Sequence, residues 1–195
     1  MIDVAFIYIK LIPSRFLNVA NNRRVVSKSR HEDDFTVKKS EYVLDTTPAE
    51  MENHADTHVF GRNYRVYFTT SKRCTVLPFF PEYSEQLDVP IVIGTAAVDL
   101  KNGSTVVLIF VQGLWFGDRI NKSIINPNQF RHYSIPVFND PTDNYRDLGL
   151  PIDDNLFIPM GMEGTTCGFY SCCPTLEGMA SCKRITVSHE TDWYP

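Results

Sequence analysis

Several features that would mark a protein class are missing from this sequence. Basic residues are not in surplus: 19 Lys and Arg stand against 23 Asp and Glu, which gives a net charge of −4 at pH 7. The sequence therefore gives no basic surface that would predict nucleic-acid binding. No run approaches the roughly 18 apolar residues that a membrane span needs, and residues 1–17 lack the positive segment and cleavage site of a signal peptide. We expect a cytoplasmic protein that binds neither nucleic acid nor membranes.

The five cysteines form neither a zinc module nor a complete set of disulfides. Cys74 is isolated, and the other four have spacings that match no zinc-binding pattern. An odd number of cysteines without a secretory signal favours free thiols. The other four are Cys167, Cys172, Cys173 and Cys182.

The pattern from residue 47 onward predicts an all-β protein. Asn102-Gly103 joins two apolar runs, and this dipeptide predicts a hairpin because its two turn positions favour positive φ. The run 106–111 is apolar throughout, so we expect that strand to be buried on both faces. A single short helix is predicted to open at Asn126, a cap residue followed by Pro127 at the first helical position. Strands are predicted at 64–69, 89–100, 105–111, 156–160, 166–170 and 184–188.

Residues 52–58 place two carboxylates, two imidazoles and a threonine hydroxyl in seven positions. The flanking residues are apolar, so this segment has the character of a loop between two strands, and loops carry chemistry more often than the elements they join. A polar β-turn would explain the same residues through side-chain bonds to the local backbone. A metal site would use His54, His58 and Asp56, but an i, i+4 pair of histidines converges on a helix and not on a strand. A nucleophilic triad needs an activated Ser or Cys that is not placed here.

The remaining interpretation is a carboxylate pair of the aspartic-protease type. Two carboxylates that share one proton activate a water molecule for attack on a peptide carbonyl. In dimeric proteases of this type, each chain supplies one carboxylate from a loop at the end of a strand. Such a chain needs one acidic loop, a covering hairpin and a later apolar strand that enters a short helix. This sequence has that order of parts.

The segment 49–57 resembles the protease-like segment of a copia-type retrotransposon polyprotein, in the branch whose loop reads Asp-Ser-His-Ala-Asp-Thr. The resemblance extends over about residues 47–195. Within the protease-like part the matching segments are 61–63, 94–100, 103–108 and 121–130. In the part that follows, they are 156–160, 164–166, 174–175, Cys182 and 191–195.

This resemblance implies a fold and a way of working. We expect a linker or loosely ordered arm at 1–46 and a retropepsin-like closed β barrel with one short helix at 47–140. A C-terminal β extension at 141–195 would then be cut off within a longer polyprotein. Members of the family act as homodimers that hydrolyse peptide bonds of their polyprotein. The resemblance implies no metal or organic cofactor.

The resemblance also assigns the site residues. The catalytic aspartate position falls on Glu52, and Asp56 matches a residue that holds the substrate backbone. An alternative register makes Asp56 and Thr57 the catalytic pair. The remaining substrate-binding positions are His54, Ala55 and Thr57.

Three departures from the family bear on activity. Glu52 reaches one methylene further than an aspartate, and such a pair tolerates little misplacement. Asn53 replaces the Ser or Thr that braces the two loops in the family. The hairpin expected between residues 73 and 90 has no glycine at 74–81 and contains two prolines, which would stiffen it. Three hypotheses follow: an endopeptidase, a non-catalytic β domain for dimerisation or peptide binding, and a decayed fragment of an element.

Overall fold

A computed structural model of the protein describes residues 46–77 and 84–188. The predicted arm at 1–46 lies outside these residues except for its last position. Within the described ranges there are eleven strands and two short helices. The first six strands are β1 Thr47–Met51, β2 His58–Gly61, β3 Arg65–Val76, β4 Gln86–Asp99, β5 Thr105–Gly117 and β6 Ser123–Ile125. The others are β7 Gly149–Asp153, β8 Leu156–Pro159, β9 Gly161–Glu163, β10 Thr166–Ser171 and β11 Lys183–Thr186, with helices α1 Pro127–His132 and α2 Leu176–Ser181.

Nine of these strands form one sheet, and the all-β prediction is confirmed. The hydrogen-bonded order is β3-β4-β5-β2-β6-β1-β10-β9. Strand β11 pairs with the first part of β5, and β2 pairs with its last part. Strands β7 and β8 form a separate hairpin. The pairings of β1 with β6, β2 with β5 and β11 with β5 are parallel. Elements from the 141–188 part therefore enter the same sheet as β1 and β5, while the division of the chain at residue 140 stays a prediction.

The strand ladders of the described residues do not close into a barrel, so the predicted closure is not confirmed. One isolated bridge lies between the two arms of the sheet. The Ala97 N–H in β4 donates to the Cys172 carbonyl at 2.9 Å, and the Cys172 N–H donates to the Ala97 carbonyl at 3.0 Å. The backbone pairing between β4 and the residue that follows β10 therefore consists of a single bridge.

The predicted strands and the hairpin are present, but the turn differs from the prediction. Gly103 has a φ of +81°, whereas Asn102 is not among the residues with positive φ. The Gly103 N–H donates to the Leu100 carbonyl at 2.9 Å, and the Asn102 side chain accepts from the Ser104 N–H at 3.0 Å. A longer loop with only its glycine in the left-handed region therefore replaces the two-residue turn.

The structure contains one helix that the sequence analysis missed. Helix α1 begins after Asn126 as predicted, with the Asn126 side chain accepting from the Asn128 N–H at 2.7 Å. Helix α2 follows Thr175, whose hydroxyl accepts from the Gly178 N–H at 2.9 Å. The prediction of a single short helix is wrong: both helices have six residues, too few to show a helical period, and α2 lacks the proline that follows the cap of α1.

The capping hydroxyl of α2 makes a testable contribution to stability. We expect Thr175→Ala to lower the free energy of unfolding by about 1 kcal/mol, because an orphan N–H of the first turn loses its acceptor. Thr175→Ser keeps that acceptor and should remain within a few tenths of a kcal/mol of wild type. Urea denaturation of the two variants measures the difference, and equal stability would contradict the capping role.

The core positions the segment that carries the candidate site. Its largest side chains are aromatic: Phe60 stacks on Tyr64 with a centroid distance of 4.8 Å, and Phe110 lies 5.9 Å from Phe130. A second buried cluster lies under the loop between β1 and β2. It comprises Ala55, Val59, Val76, Val89, Leu114, Phe116, Ile120 and Ile124.

Candidate functional site

Glu52 lies at the point where β1 ends and the acidic loop begins. Its N–H donates to the Ile125 carbonyl at 3.0 Å, which continues the pairing of β1 with β6 by one residue. The loop ends at Thr57, after which β2 starts. The Glu52 side chain is 43% exposed and that of His54 is 56% exposed, whereas Ala55 and Thr57 are buried. The loop therefore presents its acid outward and packs its far end into the protein.

Asn126 holds the middle of this loop from below. Its side-chain amide donates to the Ala55 carbonyl at 2.7 Å, and its backbone N–H donates to Nδ1 of His58 at 3.1 Å. The same side chain caps α1 through its oxygen. Asn126 is buried, so one polar residue fixes the start of the helix and the course of the loop at the same time.

Gln129 holds the end of the loop. Its Oε1 accepts from the Thr57 hydroxyl at 3.1 Å and from the His58 N–H at 3.2 Å. Its Nε2 donates to the Gln112 carbonyl of β5 at 2.9 Å. A fully buried amide therefore joins the loop to α1 and to β5.

His58 is a buried neutral base beneath the loop. Its ring lies 5.3 Å from the rings of Phe110 and Phe130, and burial lowers its pKa to about 3. Since Nδ1 accepts from the Asn126 N–H, the proton of the neutral ring lies on Nε2. Nε2 has no hydrogen-bond partner within the described residues. His58 therefore serves as an acceptor in the loop support and does not face an open site.

The outward side of the loop carries a carboxylate–imidazole pair. Oε1 of Glu52 lies 2.6 Å from Nδ1 of His54 and accepts from the His54 N–H at 2.9 Å. Both contacts join Glu52 to His54, two positions later, so they hold the exposed part of the loop in a tight turn.

The β3–β4 hairpin packs against the same loop. Val76 of β3 and Val89 of β4 share the buried cluster that contains Ala55. Near this point, Nε of Arg73 lies 2.5 Å from Oδ1 of Asp88, and its guanidinium donates to the Asp88 carbonyl at 2.7 Å. Asp88 has a φ of +58°, which is uncommon for a residue other than glycine. The ion pair and hydrogen bond of Arg73 with Asp88 thus join the two strands of the hairpin, and residues 78–83 lie outside the described ranges.

The predicted site residues separate into two environments. Glu52 and His54 meet on the exposed side, and Asp56 is half-buried. Ala55 and Thr57 are covered within a single chain, so their contact with substrate stays a prediction. His54 and His58 lie in different surroundings, and within 46–77 and 84–188 no three His, Cys, Asp or Glu residues are grouped to hold a metal ion.

Sequence reasoning missed the two amides that support the loop. Asn126 was identified only as a helix cap, and the sequence carried no direct signal for Gln129. A polar residue beside Phe130 at an inward helical position was the one available indication. Side-chain bonds between residues about 70 positions apart cannot be read from local patterns.

No family model, curated protein or solved structure matches this chain. Among the helices of the described residues, none has the length and apolar character to cross a membrane.

Proposed function

We propose that this chain is the retropepsin-like domain of a copia-type retrotransposon polyprotein. Two copies would form one endopeptidase site, in which each copy supplies the carboxylate of Glu52. The observation that carries the proposal is the position of Glu52. It is the first residue after β1, it is bonded through its backbone to the end of β6, and its carboxylate is half-exposed on a loop supported from below.

The order of elements supports this proposal. The acidic loop at 52–57 is followed by the long β3–β4 hairpin, and the short apolar strand β6 leads directly into α1. Val76 and Val89 of the hairpin belong to the same buried cluster as Ala55 of the loop. These are the parts that a dimeric aspartic protease requires in one chain.

The closed barrel belongs to the same proposal. The bridge of Ala97 with Cys172 joins β4 to the end of β10, and β4-β5-β2-β6-β1-β10 are successive neighbours in the sheet. Continued pairing at this point would return the sheet to β4 and make a six-stranded barrel. The main aromatic core would then lie inside it.

The chemistry requires two chains because a shared-proton pair has two carboxylates about 3 Å apart. The ionised Glu52 would take a proton from a water molecule while the oxygen of that water attacks the peptide carbonyl carbon. The protonated Glu52 of the second copy would donate its proton to the carbonyl oxygen. On collapse of the tetrahedral gem-diol, the first Glu52 would give its proton to the departing amine, and the ionised Glu52 of the second copy would take a hydroxyl proton back as the new carboxyl group forms.

The test is cleavage of a random peptide library between about pH 4 and 7 by wild type, Glu52→Gln and Asp56→Asn. We expect cleavage by wild type and a loss on the order of 10³-fold or more in Glu52→Gln, which cannot exchange the shared proton. The exposed Glu177 of α2 gives the matched control, since Glu177→Gln makes the same chemical change far along the chain and should leave the rate unchanged.

The assembly is tested alongside the activity. The cleavage rate should rise faster than linearly with chain concentration below the dimer dissociation constant. Sedimentation would measure that constant independently. Loss of cleavage in Asp56→Asn alone would favour the alternative register. Absence of cleavage by a folded, dimeric wild type would refute the endopeptidase.

A second function, non-catalytic dimerisation or peptide binding, is favoured by one observation. The Glu52 carboxylate is already bonded to the ring and the N–H of His54 in its own chain. Both bonds engage Oε1, so they compete with a proton shared between this carboxylate and a second one. If this function is correct, a folded dimer binds peptides but cleaves none, and His54→Ala, which frees the carboxylate from the ring, does not create cleavage.

A further inference from the structure

We infer that Gln129 is a positioning residue that sets the place of the Glu52 carboxylate by fixing the end of the acidic loop to β5. The inference rests on the proposed function for its catalytic consequence. Its structural part stands on the geometry of Gln129 alone.

The side chain of Gln129 uses both ends of its amide. The oxygen accepts two donors from the loop end, the Thr57 hydroxyl and the His58 N–H, and the nitrogen donates to the Gln112 carbonyl. Thr57 and His58 lie 72 and 71 positions before Gln129 in the chain, and Gln112 lies 17 positions before it. One side chain thus joins the loop, α1 and β5.

Packing alone would not select an amide at this position. Gln129 is fully buried next to Phe130, where an apolar side chain of similar size would satisfy the core without any polar group to pair. Only a neutral group with both an acceptor and a donor fits the three partners observed. An ionised carboxylate could accept from the loop but would face the Gln112 carbonyl without a proton to donate.

Hydrogen bonds hold the loop at its start, middle and end, and the bonds of Gln129 at its end reinforce the pairing of His58 with Gly113 of β5. The loop start is bonded to Ile125 of β6, and its middle is bonded to Asn126 before α1. Strand β5 pairs with β4, which belongs to the hairpin that packs on the loop. Gln129 therefore ties the loop carrying Glu52 to the neighbour of its covering hairpin.

The test is Gln129→Glu, followed by NMR between about pH 5 and 9. A protonated carboxyl has the donor and acceptor of the native amide, and burial favours that neutral form. We expect the amide signals of Thr57 and His58 and the ring signals of His54 to match wild type while the carboxyl is protonated. As it ionises, they should depart together, in one titration, from the wild-type signals recorded at the same pH. His58 itself titrates near pH 3, outside this range.

The matched control is Asn128→Asp, the same amide-to-acid change at an exposed position of the same helix. It should show no such titration of the loop signals. Thr57→Val removes only the hydroxyl donor with little change of shape, so it should shift the same signals by less. That variant carries the test if Gln129→Glu does not fold.

The catalytic readout separates positioning from a purely structural role. With a cleavable peptide, kcat of Gln129→Glu should fall at least tenfold with the same pH midpoint as the loop signals, while KM changes less than twofold. Loop signals that titrate without any change in His54 or kcat would overturn the inference and leave Gln129 a structural residue. If wild type cleaves nothing, the proposed function fails, while the coupled loop and His54 titration still decides the positioning of Glu52.

Discussion

The free energy of unfolding should fall on the order of 4 kcal/mol as the pH is lowered from about 6.5 to about 3, through His58 alone. Burial among aromatic rings lowers the pKa of His58 in the folded protein to about 3, from its usual value of 6.5. Between these values the unfolded chain binds a proton that the folded chain does not. The sign is therefore definite: stability rises with pH through this range, with a slope of up to about 1.4 kcal/mol per pH unit.

Urea denaturation at a series of pH values measures this contribution. His58→Asn removes the titrating ring but leaves an oxygen close to the position of Nδ1, which can still accept from the Asn126 N–H. The difference in slope between wild type and this variant isolates His58 from the carboxylates, whose acid titration is common to both. His132→Asn is the matched control, because it makes the same exchange at an exposed position. An equal slope in His58→Asn and wild type would refute the prediction.

Gly94→Ala should destabilise the protein by about 3 kcal/mol, because the added methyl has no space. A Cβ at Gly94 would lie 2.6 Å from Cε2 and 2.7 Å from Cδ2 of the Phe60 ring. Phe60 is fully buried and stacked on Tyr64, so its ring cannot retreat without displacing the centre of the core. Gly113 lies against the same ring from β5, which closes another direction of escape.

A glycine in β9 offers the control for that substitution. A Cβ at Gly161 meets nothing within 4 Å, so Gly161→Ala should change the free energy of unfolding by no more than about 0.5 kcal/mol. Chemical denaturation of both variants provides the comparison. Equal effects of the two substitutions would mean that loss of glycine flexibility, and not overlap with Phe60, determines the result.

The elements that depend on neighbouring residues were predictable from the sequence. The strands β3, β4, β5, β8, β10 and β11 follow from runs of apolar and β-branched residues, and α1 follows from Asn126 and Pro127. The hairpin between β4 and β5 follows from Asn102-Gly103. Its turn type did not, because only Gly103 enters the left-handed region. Helix α2 was missed because six residues show no period and no proline follows its cap.

The loop at 52–57 shows where local prediction ends. The sequence by itself determined that an acidic, polar segment lies between two strands, because its composition interrupts two apolar runs. Only the tertiary structure decided that Glu52 pairs with His54 outside while Thr57 and His58 bond to Gln129 inside. The parallel pairings of β1 with β6 and of β2 with β5 were equally absent from the pattern. Local structure follows from backbone preferences of adjacent residues, whereas these contacts arise when distant segments must satisfy each other's buried polar groups.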